Sequence, residues 1–596
     1  MTDRFVLDDN DSVTFRPRRD RVEGAFLAAA VGDAMGWPYE MRASRIGGKR
    51  KSPNLAFEAW TKRSGGRFQP HEEAIGAGSY SDDTQLILAC ARSLLREPTN
   101  WWLLFATQEL PLWTLYQRGG GGATKRAATT WLSGRAPWRA KHDEVDRYLA
   151  AGGNGVAMRI LPHCLRRVGD ANFSALALDI MTDGVTTHGH PRALVGALAY
   201  GYGLWEALRQ RGTLGYGQLL EVVRSNQEAW GTVPSVMERW PNWIEAADRS
   251  GTYQAQWTDA VREQLDLLYR CLTGLAGGVA VLDEDVLKEL GCFDKRVNGS
   301  GTINAAAALF LASRHAADPV EGVKQAALAE GADTDTLASM TGGLLGAAIG
   351  LEWLSPFLRD LQDCETIRRT AYEIYGLPKR AAPSHEHRPV TKAALNAFLS
   401  ELTELREPSP IRLPNGLIAS ATSWDGIIPM SPSLTANGWQ LTLDNGQTLF
   451  IKKLGKRRGR TPEGPSTEPE LSFGSPAEMS APLHLGLRLV VSDLARSVAF
   501  YREVLGLRIS KRTTKSVNLE GVLSLVEARH LEGVTDHVTV FADVADVRRT
   551  FAAYERLMPE GASRIDERDD RTRLQCFDPD GYRVEIYQMH RAGADI

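Results

Sequence analysis

The chain has 596 residues, too many for one hydrophobic core, and this length predicts about three or four domains. A globular composition of 43% apolar and 24% charged residues, with a formal net charge of −3, leaves no global basic footprint for nucleic acid. The six cysteines are scattered without a CxxC pair, which argues against a disulfide framework or a zinc–thiolate site and predicts a cytoplasmic location.

Met1 to Arg16 is polar and lacks the apolar core of a signal peptide, and the longest apolar stretches, such as Gly342 to Leu351, are too short to cross a bilayer. Residues 1–18 read as an N-terminal arm. Over residues 19–378 apolar side chains recur at three- and four-residue spacing, as in Val22-Ala25-Phe26-Ala29, Leu86-Ile87-Cys90-Leu94 and Leu337-Met340-Leu344. Glycines punctuate these runs and strand-like alternation is scarce, so this stretch predicts one all-α domain. Residues 379–455 predict a small α+β or β region, with a helix over Thr391 to Leu405. A hairpin is expected where Trp439 to Leu443 and Gln447 to Ile451 flank Asp444-Asn445-Gly446. Residues 456–481, rich in Pro, Gly, Ser and charge, read as a flexible linker, and their basic run Lys456 to Arg460 as a solvated tether. In residues 482–596 a strand–helix order appears twice, Leu485 to Val491 with Leu494 to Leu505 and His537 to Ala542 with Val544 to Leu557. That repeat predicts two similar half-modules.

Chemistry concentrates in two short clusters, Ser81-Asp82-Asp83-Thr84 and Asp333-Thr334-Asp335-Thr336, each just before an apolar helix-forming run. Ser and Asp commonly cap helix starts. A cap needs one acceptor, however, and each cluster supplies at least three oxygen-bearing side chains. Two carboxylate-rich corners brought together would suit hard divalent cations such as Mg²⁺ or Mn²⁺. Three motifs accompany them. Gly32 to Glu40 (GDAMGWPYE) closes the first helix, Gly152 to Arg159 (GGNGVAMR) is a glycine-rich turn able to offer N–H groups to a phosphate, and Thr187-His188-Gly189-His190-Pro191 offers an imidazole.

Taken in order, Gly32–Glu40, Ser81–Thr84, Gly153–Arg159, Thr187-His188 and Gly331–Thr336 closely resemble the ADP-ribosylglycohydrolase family. Ala332 stands where that family usually has a second glycine, a backbone position. The resemblance implies an all-α fold with a site for two Mg²⁺ or Mn²⁺ ions. Ser81, Asp82 and Asp83 would serve it from one side, and Asp333, Asp335 and Thr336 from the other. Glu40 matches an acidic residue on a mobile flap. Asn154, Gly155 and His188 match the region that holds the diphosphate and ribose of ADP-ribose. The implied activity is hydrolysis of the N- or O-glycosidic bond between ADP-ribose and a protein side chain or other acceptor. Asp82, Asp83 or Asp335 would orient the attacking water and Glu40 would assist as a proton carrier. Gly342, Gly343 and Gly346 are expected to let helices approach closely.

The C-terminal segment resembles the vicinal-oxygen-chelate family of glyoxalases, extradiol dioxygenases and bleomycin-resistance proteins, through Asp493 to Leu507 and Asp578 to Glu585. This implies paired βαβββ modules around a concave face, with metal ligands mapping to the first strand, His537 and Glu585. Gly486 stands at the usual first ligand position and His484 lies two residues earlier on the same face. That departure favours a metal-free binding cup over a second divalent-metal site at His537 and Glu585. Self-association through this domain is a further expectation. Competing readings are a non-catalytic ADP-ribose reader, and a protein whose main activity, as a lyase, dioxygenase or resistance module, lies in the C-terminal cup.

Overall fold

The computed structural model describes residues 6–7, 13–14, 17–40, 56–65, 69–377, 388–405, 409–431 and 433–456 of a first compact unit, Met1–Thr461. In the second unit, Pro462–Ile596, it describes 487–491, 493–504, 507, 509–512, 516–519, 523–527, 539–543, 546–559, 563–567, 571–578 and 583–589. The expected tether of residues 456–481 lies, apart from Lys456, outside the described residues.

Helices build the first unit, and the two runs at its centre, Arg19–Gly36 and Thr334–Ile349, are buried along nearly their whole length in the interior. The elements that position the cleft are α1 (Arg19–Gly36), a hairpin of β1 (Trp60–Ser64) and β2 (His71–Ile75), α2 (Asp82–Arg96), α3 (Gly122–Leu132), α4 (Pro191–Arg209), α5 (Tyr253–Ala276), α6 (Gly301–Arg314), α7 (Thr334–Ile349) and α8 (Cys364–Tyr375). From Arg21 to Gly36 every residue of α1 is buried, and so is α7 from Thr334 to Ala348. These two helices cross with their backbones in contact: a Cβ on Gly342 would lie 2.2 Å from the Ala28 carbonyl oxygen, and one on Gly346 would lie 2.1 Å from that of Gly24. Gly343 serves a different neighbour, since its Cβ would meet Tyr200 Oη of α4 at 3.0 Å. The crossing brings the C-terminal end of α1 to the N-terminal end of α7, where Thr334 Oγ1 donates to the Gly36 carbonyl at 2.9 Å.

The helix expected at Thr391 to Leu405 is α9 (Lys392–Glu404), capped by Thr391, whose Oγ1 accepts from Ala394 N at 3.2 Å. Five strands follow: β3 (Ser409–Arg412), β4 (Ile418–Ser423), β5 (Ile427–Pro429), β6 (Leu434–Leu443) and β7 (Thr448–Lys456). The Asn445-Gly446 turn joins β6 to β7 with Thr442 opposite Thr448. Four strands form a sheet in the order β3-β4-β6-β7, while β5 leaves it to pair with β2 and complete a second sheet, β1-β2-β5. The β1–β2 hairpin within the helical stretch has no apolar alternation to announce it. Its strands are WTKRS and HEEAI, and they are held by pairing on both sides of β2 rather than by a greasy face.

Buried polar contacts fasten the appended sheet to the helical body. Arg92 of α2 pairs with Glu109 at 2.6 Å and also donates to Gln447 in the β6–β7 turn. Asp363 Oδ2 accepts from Tyr80 Oη at 2.7 Å and from Thr448 N at 2.8 Å. Asn415 Nδ2 donates to Glu109 Oε1 at 3.1 Å.

The second unit shows the doubled order directly: β8 (Leu487–Val491), α10 (Leu494–Glu503), β9 (Ile509–Arg512), β10 (Ser516–Leu519), β11 (Leu523–Glu527), then β12 (Thr539–Asp543), α11 (Val547–Leu557), β13 (Arg564–Glu567), β14 (Arg571–Phe577), β15 (Arg583–Met589). Among the described residues its strands form two four-stranded sheets, β8-β11-β10-β9 and β12-β15-β14-β13, each with one parallel pair. Val584 and Ile586 share the buried face of β15, and Asp493 caps α10 by accepting from Ala495 N and Arg496 N. Among the described residues no helix is long and apolar enough to cross a membrane.

Candidate active site

The first acidic corner is the N-terminal turn of α2. Ser81 is its cap, its side chain accepting from Asp83 N at 3.4 Å. A deeper carboxylate does most of the capping work: Asp33, near the end of α1, accepts from Ser81 N at 2.9 Å, Thr84 N at 2.9 Å and Thr84 Oγ1 at 2.7 Å. With the orphan N–H groups of the helix start satisfied from below, Asp82 and Asp83 are free to face the cleft. Asp82 Oδ1 accepts from Gly120 N at 2.5 Å. That approach needs glycine at 119, where φ is +106° and a Cβ would sit 2.3 Å from Asp82 Oδ1. Asp83 Oδ2 accepts from Thr336 Oγ1 at 3.2 Å, while its Oδ1 is buried without a protein partner.

The second corner is the start of α7. Asp333 holds the cap position but makes no side-chain capping bond, and its Oδ2 accepts from Asn154 Nδ2 at 2.8 Å instead. Asp335 Oδ1 accepts from Thr336 N at 2.9 Å. The two corners meet. Asp82, Asp83 and Asp335 each bring a ligand oxygen within 4.8 Å of the others, and Glu40, Asp333 and Asp335 form a second such group. Asp335 belongs to both.

So many carboxylates cannot all ionise together at this depth. Burial first, then Asp33, Asp82 and Asp333, hold Asp83 well above the usual carboxylate range. Burial, then Glu40, Asp333 and Asp83, does the same to Asp335. Asp82 is pushed up to about 6, by burial above all, against the pull of the Gly120 N–H. Glu40 rises to about 7 through burial and then through Asp333 and Asp82. The pocket therefore lacks positive charge where its oxygens converge, which is the condition a hard divalent cation relieves.

Asn154, Gly155 and His188 form the adjoining wall. A Cβ on Gly155 would press to 2.9 Å from His188 Cε1 and 3.1 Å from Thr124 Oγ1, so the loop needs glycine to lie flat on the imidazole. His188 is buried and, by burial and then by Arg159, pushed down to about 3, so it is neutral. Thr187 Oγ1 lies 2.7 Å from His188 Nδ1 and accepts from Arg159 Nη2 at 2.8 Å. Glu40, Asp82, Asp83, Asp333, Asp335, Thr336, Asn154, Gly155 and His188 line one cleft of about 910 Å³.

Residues 15–384 match the family model ADP-ribosylglycohydrolase, more than half of the chain. The chain belongs to the ADP-ribosylglycohydrolase family. It is similar to the ADP-ribosyl-[dinitrogen reductase] glycohydrolase of Rhodospirillum rubrum, with 30% identity over 187 residues, 30% of this chain. The match spans 56% of that relative's length. Among solved structures it is similar to an ADP-ribosylglycohydrolase-related protein complex, at 24% identity over 60% of this chain and 98% of that one, with a TM-score of 0.37. Residues 482–586 match the glyoxalase/bleomycin resistance protein/dioxygenase superfamily. This stretch is similar to such a protein from Nocardioides, at 26% identity over 20% of this chain and 89% of that one, with a TM-score of 0.16.

Within the ADP-ribosylglycohydrolase domain every candidate residue read from the sequence lies in or directly beneath the cleft: Glu40, Asp82, Asp83, Asn154, Gly155, His188, Asp333, Asp335 and Thr336 line it, and Ser81 lies beneath. Sequence reading gave Asp33 no role of its own, although it sits in the GDAMG motif, and the Gly119-Gly120 turn none at all. It also missed a cationic end of the cleft formed by Lys62 and Lys452. A second cluster, Cys90, His163 and Asp183, is close enough to hold a metal but is fully buried in the helical core. Its Asp183 is spent on Arg159 at 2.7 Å and His163 at 3.2 Å, which makes it a prop beneath Thr187 and His188.

In the second unit His484, Gly486 and His537 lie outside the described residues. Glu585 lies on β15 with Arg573 Nη1 3.9 Å from its carboxylate.

Proposed function

We propose that this protein is a divalent-metal-dependent hydrolase that releases ADP-ribose from an ADP-ribosylated protein side chain or other acceptor. The observation that carries this reading is the convergence of Asp82, Asp83 and Asp335, with Glu40 and Asp333, from distant segments onto one cleft. An all-oxygen donor set, in which the buried Asp82, Asp83 and Asp335 have raised proton affinity, fits Mg²⁺ or Mn²⁺. Ser81, Asp82, Asp83, Asp333, Asp335 and Thr336 would hold two such ions. When bound, the ions supply positive charge for the ribose hydroxyls and for activating water.

The protein's own residues do the rest. Breaking the bond at C1″ builds oxocarbenium character on the distal ribose, and a wall of carboxylates stabilises that charge. Asp83 and Asp335 orient the attacking water. Glu40, beside Asp333 and Asp335 at the edge of the carboxylate cluster, is placed to pass a proton to the departing acceptor atom. Neutral His188 and the Asn154–Gly155 backbone position the ribose and diphosphate, and Asn154 holds Asp333 in place. Asp33 fixes the first corner without touching substrate.

The test is incubation of the full chain with ADP-ribosylated arginine, serine and nucleic acid, with and without Mg²⁺. Release of ADP-ribose from at least one of them, abolished by chelator and restored by Mg²⁺, is expected. Release that survives complete chelation would contradict the metal assignment, and no release from any acceptor would leave a binding role.

A further inference from the structure

The ADP-ribosylglycohydrolase match ends at residue 384, yet the cleft does not. Phe450, Lys452 and Leu454 alternate along β7 and so share one face, opposite the buried Leu449 and Ile451. Lys452 and Leu454 line the same cleft as the acidic corners. Phe450 packs beneath, with the Arg118 guanidinium 3.8 Å from its ring centre.

The end of the cleft reached by β7 is cationic by construction. Glu73 of β2 is buried and gives one oxygen to Arg118 Nε at 2.9 Å and the other to Lys452 Nζ at 2.7 Å. Burial alone would raise this carboxyl, but Arg118 and Lys452 outweigh it and hold it below its usual range. Across the hairpin, Lys62 is the register partner of Glu73, and its ammonium sits 4.8 Å from the Trp37 ring centre. Arg118, Lys452 and Lys62 thus gather around Glu73, while Lys62, whose pKa burial lowers, also lies in the field of Glu40 and Asp82. Lys452 is 23% exposed in its side chain, whereas Glu73 is 2% and Arg118 3% exposed. The buried pair acts as a mount, and the ammonium it holds, with three donors of which Glu73 takes one, is presented to the cleft.

An acidic floor repels an anionic ligand unless cations receive the anion elsewhere. We propose that Lys452, carried by the appended sheet, is a substrate-binding residue that together with Lys62 receives a phosphate group of the substrate. This rests on the hydrolase reading above and adds the substrate-binding role of a segment outside the family region. The phosphate is either the diphosphate of ADP-ribose or one carried by the acceptor.

Binding of inorganic pyrophosphate and of ADP-ribose to the full chain is measured by calorimetry, alongside KM and kcat on ADP-ribosylarginine and on ADP-ribose attached to a phosphorylated DNA end. Lys452→Gln is expected to weaken pyrophosphate binding and raise KM about tenfold while kcat changes little, and Lys452→Arg to recover most of the loss. Equal rises on the two substrates, with weaker ADP-ribose binding, assign the diphosphate. A rise several-fold larger on the phosphorylated end assigns the acceptor. Pyrophosphate binding and both KM values at wild-type level in Lys452→Gln overturn the proposal. If the wild type releases no ADP-ribose, the hydrolase reading fails while the binding comparison still decides the role of Lys452. Lys62→Gln carries the same test should Lys452→Gln fail to fold.

Discussion

The two ends of the cleft are built in opposite ways. At the acidic floor, Asp82, Asp83 and Asp335 crowd together with too little countercharge, and their protons are held by burial and mutual repulsion. At the cationic wall, Glu73 is already matched by Arg118 and Lys452, so the charges there are settled before any ligand arrives. An unsettled cluster changes state when a cation binds and so suits the chemical step. A settled one holds a fixed field and suits binding. The difference predicts that floor variants lower kcat and wall variants raise KM.

The sharpest way to break that division is at the floor. Asp83→Asn removes a convergent oxygen with little change in volume, and should lower kcat about 10²–10⁴-fold with the fold intact, measured as ADP-ribose release under saturating Mg²⁺. Asp33→Ala tests whether the floor depends on its mount. It strands Ser81 N and the Thr84 donors in a buried place, and should cost about 3 kcal/mol in denaturant unfolding as well as activity. On the wall, an effect of Lys452→Gln on kcat larger than on KM would erase the contrast.

A smaller effect follows from the proton affinities. Glu40 at about 7 and Asp82 at about 6 bind protons more tightly folded than unfolded. Their contribution is therefore fully present below the unfolded carboxylate pKa, about 4, and is lost as pH rises through 6 to 7. Chelated protein should show a falling melting temperature over that window. Saturating Mg²⁺ should flatten the fall and raise stability, by about 2.7 kcal/mol at a hundredfold excess over Kd. A flat profile without metal would mean that the floor is not charge-frustrated. At the junction of sheet and helices, Gln447→Leu leaves Arg92 one acceptor short and should cost about 1–3 kcal/mol.

What could be read from the sequence follows the physics of each part. The acidic corners were legible because they carry more oxygen than a helix cap needs, and the β6–β7 hairpin because Asn445-Gly446 marks a tight turn between alternating runs. The β1–β2 hairpin was not, since its stability comes from pairing with β5 rather than from an apolar face of its own. Lys452 was not legible even as a strand residue, because the hairpin expected from the sequence ends at Ile451 while the strand runs on to Lys456. Alternation says which residues share a face, but what that face meets depends on Glu73 and Arg118, far away in the chain. Asp33 was hidden for a related reason: its partners, Ser81 and Thr84, sit on the next helix along, and only the crossing of α1 beneath α2 makes it their cap.

The most direct test of the account is ADP-ribose release by wild type and Asp335→Asn side by side, at equal folded concentration in Mg²⁺. Asp335 is the residue shared by both carboxylate groups. The account predicts Mg²⁺-dependent release by the wild type and a loss of at least about a hundredfold in the variant. Release by folded Asp335→Asn at the wild-type rate would contradict it.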